Sequence, residues 1–287
     1  MSNSIIYVDN TKELGITHHF NDVISVQSLI TKRGTHVEMV ERSNWGTTCY
    51  MDNTIQSCEK DEKIYHEALV HPVMASFYGR KRVMIIGGGE GATLREVLKW
   101  PDVEKVDMYE WDEEVVHLFK KTYPQWAQGA WNDPRLTMYY TDIFKIIEDT
   151  PETPYDVIII DLFDVKEDTY TSWSLLFKRL SYWLHHSGSF VVYSGMRSIL
   201  DTKQPYTRLS EMICNSPLQI SRVDNMFYPH SIYNREIIPY KVYIPSFLGE
   251  ATFLLCKSKS SVILFDALKT VSHLTKDVWK SYKTFNW

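Results

Sequence analysis

RVMIIGGGEGATLREVLKW, residues 82–100, reads as a buried strand, a glycine turn and an amphipathic helix. Gly87, Gly89 and Ala92 fit the G-x-G-x-x-G/A spacing, in which a strand feeds a helix N-terminus and the bare backbone comes close to a ligand. A pyrophosphate ordinarily lies in such a turn. Here a carboxylate, Glu90, stands in that place.

Outward from this stretch the chain alternates strand and helix. VEKVDMYE is followed by helix-like DEEVVHLFKKTY, LTMYY by IFKIIED, and YDVIIID by a helix within SWSLLFKRLSYWLHH, with SFVVYS as a further strand. Unbroken apolar runs such as VIII mark strands buried on both faces, hence a parallel sheet between helix layers. LQISRV, YKVYIP and ATFLLCKS read as antiparallel edge strands.

Before residue 60 the texture differs. SIIYV, VISVQSLI, HVEMVE and TTCYM are short β-like runs separated by polar breaks such as TKRGT and MDNT. EKDEKIYHEALVHPVMASF then has a helical period, with Ile64, Ala68 and Leu69 on one side and Pro72 expected to bend or end it. The expected fold is α/β: a Rossmann-like, methyltransferase-type parallel sheet with antiparallel edge strands over residues 61–287. A small antiparallel β domain over residues 1–60 precedes it.

The net charge of −5 argues against nucleic acid, which recruits basic faces. No apolar run approaches the ~20 residues that span a bilayer. The N-terminus lacks the basic and apolar regions of a secretory signal. Cys49, Cys58, Cys214 and Cys256 have no metal-ligand spacing and read as reduced thiols of a cytoplasmic protein. His18–His19 and His185–His186 read as solvated pairs rather than ligands.

In open α/β sheets, ligands lie beyond the carboxyl ends of the strands. An acid ends each of four successive strands: Glu90 in the turn, then Glu110, Asp142, and Asp161 with Asp164. One such acid is commonly a helix cap; four converging on one crevice need another explanation. Glu110, twenty residues past Glu90, has the spacing of the acid that grips a ribose diol, and Asp142 is placed to accept from an adenine amino group. An adenosyl ligand is therefore expected. Glu90 would repel a pyrophosphate or a carboxylate and attract an ammonium or sulfonium. Decarboxylated S-adenosylmethionine, as co-substrate, meets these demands. Asp161 and Asp164 then suit a protonated amine, because an alkylamine with a pKa near ~10 must lose a proton before it attacks.

With these residues in place, the chain resembles the aminopropyltransferases, the spermidine, thermospermine and spermine synthases, from about Tyr50 to Ser258. MDNTIQSCEKDEKIYHEALVHPVM, GGGEG, DEEVV, DPRL and YDVIIIDLFD carry the resemblance. The Y-H-E, V-H-P and GGGEG forms are nearest to thermospermine synthase. The resemblance implies Asp161 as catalytic base and Tyr65 as the partner that helps hold and deprotonate the amine. It implies Gln56, His66, Gly87, Glu90, Glu110, Asp142 and Ile143 on the donor side, and Tyr65, Asp161, Asp164 and Phe247 on the acceptor side. It also implies a polyamine acceptor (putrescine or spermidine), methylthioadenosine as by-product, no metal or prosthetic group, and a homodimer or homotetramer.

The acceptor side departs from most relatives. DVKEDTYTSW lacks the Pro and Gly-Pro turn expected after the aspartate motif, and Phe247 stands where spermidine synthases often carry Tyr. Two other readings share parts of the pattern. An S-adenosylmethionine-dependent methyltransferase gives no special reason for Glu90 or for the aspartate pair. A non-catalytic polyamine-binding homologue gives none for Tyr65 kept with both aspartates.

Overall fold

The structure is a computed structural model and describes residues 5–11, 16–149, 151–198, 200, 203–215, 221–223, 226–228, 235–264 and 271–285. Five strands form an antiparallel N-terminal sheet in sequential order: β1 (Ile5–Thr11), β2 (Ile16–Ile30), β3 (His36–Arg42), β4 (Gly46–Met51) and β5 (Thr54–Cys58). The polar break at MDNT is a hairpin turn. Asp52 and Asn53 both take positive φ, 49° and 62°, and Met51 pairs with Thr54. Two left-handed residues match the twist of a two-residue hairpin, and a fifth strand follows beyond the four runs named from the sequence.

The remaining elements are α1 (Glu62–Ala75), β6 (Arg82–Gly87), α2 (Ala92–Leu98), β7 (Lys105–Glu110), α3 (Glu113–Thr122), β8 (Leu136–Tyr140), β9 (Tyr155–Asp161), α4 (Tyr170–Trp183), β10 (Leu184–Met196), α5 (Pro205–Asn215), β11 (Ser221–Val223), β12 (Met226–Tyr228), β13 (Arg235–Ile244), β14 (Gly249–Ser258) and α6 (Lys276–Tyr282). A seven-stranded sheet has the order β13-β14-β10-β9-β6-β7-β8. The pairs from β10 to β8 are parallel, and β14 and β13 are antiparallel edge strands. Val83, Ile85, Val157 and Ile159 face α1, while Met84, Ile86, Ile158 and Ile160 face Trp173, Leu176, Phe177 and Leu180 of α4. β6 and β9 lie side by side although β7 and β8 intervene in sequence. The order reverses there, and in open α/β sheets the carboxyl ends of the strands at such a point are where ligands bind.

The two sheets meet through side chains. Val37, Met39 and Cys49 pack on Ala92, Val115, Phe119 and Trp126. The Thr31 and Thr35 hydroxyls donate to Asp112 across 2.6 and 2.9 Å, and Asp112 also accepts from the Glu114 N–H at the start of α3.

Three expectations are corrected. Pro72 does not end α1, which runs on to Ala75. Proline cannot donate to the Ala68 carbonyl one turn back. The buried Tyr240 hydroxyl on β13 supplies that hydrogen bond instead, at 2.8 Å. Residues 143–149 form successive turns rather than a helix: the Asp142 carboxylate takes the Phe144 N–H, and the Lys145 N–H bonds the Asp142 carbonyl. A seven-residue segment is too short to hold a helix by itself. The Glu148 and Asp149 carbonyls accept instead from Arg179 and from Trp183 Nε1 of α4. LQISRV adds no strand to the main sheet: Ser221–Val223 pairs with Met226–Tyr228 as a separate ribbon, and residues 218–220 lie outside the described residues.

The C-terminal segment is tied to α1. Glu67, fully buried, accepts from the N–H groups of Ser272, His273 and Leu274 and from the Ser272 hydroxyl, at 2.7–2.9 Å. Trp279 of α6 stacks edge-on against Tyr240. Among the described residues no helix is long and apolar enough to cross a membrane.

Candidate active site

β6 ends at Gly87 with φ +85°, and an added Cβ would collide with the Asp161 carbonyl oxygen. Only glycine permits both that φ and that approach. The neighbouring strand end thus brings Asp161 directly to the turn, as Gly87 and Asp161 are register partners. The Asp161 carboxylate is fixed at both oxygens. Tyr65 Oη donates to Oδ1 at 2.9 Å and Thr93 Oγ1 to Oδ2 at 2.8 Å. Burial raises the Asp161 pKa and the nearby Glu90 charge raises it further, against the pull of His66, Thr93 and Tyr65. Asp161 is half-buried, and the raised pKa makes its carboxylate a stronger base than a surface aspartate. Tyr65 is buried and its phenol is pushed well above the ordinary value, first by burial and then by Asp161. It is a fixed hydrogen-bond donor rather than a source of phenolate.

Glu90 sits 9 % exposed in the turn, with Oε1 2.8 Å from His66 Nε2. The approach is an ion-pair contact too bent for a good hydrogen bond. His66 Nδ1 lies 2.7 Å from the Glu62 carbonyl and 2.9 Å from Glu62 Oε2. Burial alone would lower the His66 pKa; Glu62 and Glu90 outweigh it and raise it to about 10. Arg95 on α2 grips Glu62 with both Nη atoms, at 2.9 and 2.8 Å.

Glu110 closes β7. Its Oε1 accepts from the Trp111 and Asp112 N–H groups at 2.8 and 3.1 Å. Its Oε2 faces Gly89, where a Cβ would lie 3.1 Å away. Burial raises the Glu110 pKa to about 7 despite those two N–H donors. Asp142 follows β8, adjacent to β7, and its Oδ1 accepts from Phe144 N–H at 3.0 Å; Ile143 is buried beside it. Gln56 stands on β5 with its side chain exposed, and its amide donates to Thr54 of its own strand at 3.1 Å. Among the described residues no hydrogen bond joins Gln56 to the cluster around Asp161.

On the other side of Asp161, the Tyr65 ring is surrounded by Phe253, Tyr193 and Phe247, with centroids 5.3, 5.8 and 6.1 Å away. Asp164 is exposed and its Oδ1 approaches Gly195, at the end of β10. Among the described residues no group of three His, Cys, Asp or Glu side chains stands as a metal cage. His18 and His185 are half-buried, His19 and His186 exposed. A separate cavity of about 260 Å³ is lined by Met84, Tyr109, Tyr139, Tyr155 and Trp183, and shares no residue with the cluster.

Sequence reasoning missed Thr93, Glu62, Arg95 and Tyr193. A hydroxyl in the first turn of α2 was the one available signal for Thr93. Glu62 and Arg95 read as ordinary solvated helix charges, and only the packing of α1 on α2 buries them.

The comparisons with known proteins bear on this geometry. Residues 62–200 match the spermine/spermidine synthase domain. A polyamine aminopropyltransferase of Saccharolobus islandicus is 46% identical over 144 residues, 50% of this chain and 47% of that protein. Another, from Prochlorococcus marinus, is 40% identical over 137 residues, 48% of each chain. The chain spans about half the length of the curated relatives it matches. The crystal structure of a spermidine synthase from Thermotoga maritima superposes with TM-score 0.77 at 22% identity, covering 99% of this chain and 93% of that one. A spermidine synthase solved with the transition-state analogue AdoDATO superposes with TM-score 0.78 at 21% identity. The fold is shared with both. Residues 62–200, which hold the glycine turn and the aspartates, are thus similar to the spermine/spermidine synthase domain and to polyamine aminopropyltransferases.

Proposed function

We propose that this chain is a polyamine aminopropyltransferase that moves the aminopropyl group of decarboxylated S-adenosylmethionine to a polyamine amine. The observation that carries the reading is the Asp161 carboxylate, held by Tyr65 and Thr93 at the switch point of the sheet and next to Glu90. The names of the relatives and the family match support the same reading.

In this reading Glu110 takes the ribose diol through Oε2, and Asp142 with Ile143 meets the adenine. Gly87, Gly89 and Ala92 let the ligand approach, and Glu90 with His66 faces the ammonium tail. Gln56 closes the donor side after its side chain swings from Thr54. The acceptor's methylenes lie against Tyr65 and Phe247, and Asp164 holds its distal ammonium.

Asp161 takes a proton from the attacking ammonium. The freed nitrogen lone pair forms a bond to the aminopropyl carbon next to sulfur. The carbon–sulfur bond breaks, and its electrons neutralise the sulfonium to the thioether of methylthioadenosine. A sulfonium is already a good leaving group, so the step needs no metal. Tyr65 keeps Asp161 oriented toward the nitrogen throughout.

The Y-H-E and GGGEG forms favour a donor side like that of thermospermine synthases. Residues 1–60 and 61–287 are proposed as two units, in a cytoplasmic homodimer or homotetramer. The test is incubation with decarboxylated S-adenosylmethionine and putrescine, spermidine or a longer amine, with mass detection of methylthioadenosine and product. No methylthioadenosine with any acceptor, together with S-adenosylhomocysteine formed from S-adenosylmethionine, would sink the reading in favour of a methyltransferase.

A further inference from the structure

A chain of buried charges runs from the donor side into the core: Glu90, His66, Glu62, Arg95 and Glu96. Each is at most 9 % exposed. His66 has acceptors on both ring nitrogens. The Glu62 carbonyl and Oε2 face Nδ1, and Glu90 Oε1 faces Nε2. With a carbonyl and a carboxylate at Nδ1 and a second carboxylate in ion-pair contact at Nε2, a lone pair on either nitrogen would face an acceptor, so both carry hydrogen. We propose that Glu62, clamped by the two-pronged grip of Arg95, is a positioning residue that keeps His66 an imidazolium, and that this imidazolium fixes the Glu90 carboxylate toward the donor's tail.

Arg95 is itself held. Its Nε donates to Glu96 Oε1 at 2.8 Å and an Nη donates to the Trp126 carbonyl. Glu96 in turn accepts from His71 Nε2 at 2.9 Å and from Lys99. The charged and titratable groups facing His66 are Glu62 and Tyr65 from α1, Glu90 from the turn after β6, and Asp161 from β9. Arg95 of α2 acts on it through Glu62, and the buried Cys49 thiol of β4 is coupled to Glu90.

Without the Glu62 charge, His66 keeps hydrogen on Nδ1, where the Glu62 carbonyl remains, and releases it from Nε2. A bare Nε2 lone pair then faces the Glu90 carboxylate, and two acceptors at 2.8 Å repel. Glu90 turns away, and the donor loses its partner. The cost appears in donor binding, while Asp161 keeps its hydrogen bonds to Tyr65 and Thr93 and feels the change only through the lost charge of His66.

This inference rests on the donor assignment above, so its test has one readout that needs no substrate. The His66 ring signal of the whole protein, assigned by its disappearance in His66→Gln, is followed by NMR from pH 5 to 10. The expected result is a wild-type ring protonated past pH 9 and a midpoint lowered at least about tenfold in proton affinity, one pH unit, in Glu62→Gln. A wild-type midpoint near the ordinary histidine value overturns the proposal, and needs no variant to fold; an unmoved midpoint in a folded Glu62→Gln overturns it too.

The second readout is calorimetric binding of decarboxylated S-adenosylmethionine. The ratio of the Glu62→Gln to the wild-type dissociation constant should rise roughly tenfold across the lowered midpoint. That rise should vanish when His66 is Gln in both proteins; a rise that persists there overturns the proposed route through His66. If wild type does not bind this ligand at all, the donor assignment fails alone, and the ring titration still decides the role of Glu62.

Discussion

The Tyr65 hydroxyl donates to Asp161 Oδ1 across 2.9 Å, joining α1 to the end of β9 over a sequence separation of 96 residues. Thr93 takes the second oxygen, so the carboxylate has one orientation. Asp161→Asn keeps the shape and removes the base. Aminopropyl transfer should fall by about 10²–10⁴-fold, while donor affinity stays within a few-fold. Turnover near wild type, measured as methylthioadenosine release, would refute the role given to Asp161. Tyr65→Phe keeps the base but frees its orientation, and a smaller drop is expected.

Glu90 carries the argument about donor identity. Glu90→Gln removes the charge that attracts an ammonium and rejects a carboxylate. The preference for decarboxylated S-adenosylmethionine over S-adenosylmethionine should shrink by about tenfold, or 1.4 kcal/mol. Equal affinity ratios in variant and wild type, measured by calorimetry, would remove Glu90 from the selectivity account.

Glu110 titrates near neutrality because burial raises its pKa to about 7. A diol donating to Oε2 stabilises the carboxylate and lowers that value. Binding of methylthioadenosine at pH 6.5 should therefore release a large fraction of one proton, and at pH 8.5 almost none. Calorimetry in buffers of different ionisation enthalpy reads this directly. Proton uptake at pH 6.5, or Glu110→Gln releasing as much as wild type, would contradict the assignment. The sign for stability follows. The raised value favours the folded state below about pH 4.5, and this contribution is lost as pH rises through about 7.

Tyr240 completes the helix that Pro72 interrupts. Tyr240→Phe leaves the Ala68 carbonyl buried without that donor, and should cost about 1–3 kcal/mol of stability. In a Pro72→Ala background the backbone N–H restored at that position can serve the same carbonyl. A double-mutant cycle by chemical denaturation should then show a smaller cost for Tyr240→Phe. Additive costs would mean that the two groups do not share Ala68.

Much of the site was legible because its residues follow strands directly. A carboxyl strand end is a defined place in a parallel sheet, so Glu90, Glu110, Asp142 and Asp161 could be gathered on one rim from spacing alone. Gln56 was not placed by any such rule, and its side chain lies on the exposed face of β5. Thr93 was missed because a threonine in a first helical turn is ordinary. Its role depends on Asp161 lying opposite, which only the β6–β9 pairing decides.

The helix expected after β8 illustrates the limit of periodicity. Ile143 and Ile147 are buried four residues apart, as a helix would bury them, yet the segment forms turns. Arg179 and Trp183 from α4 take the Glu148 and Asp149 carbonyls.

By itself the sequence determined the alternation of strand and helix, the parallel sheet with antiparallel edges, and the acids on its rim. These follow from period, burial pattern and glycine chemistry, all local properties. Tertiary structure alone decided how those groups are charged and aimed. The imidazolium at His66, the raised Glu110 and the doubly held Asp161 each depend on partners from other elements and on removal from water. Charge interactions strengthen as the surroundings dry, and which groups become dry is settled only when α1, α2 and the sheet have packed together.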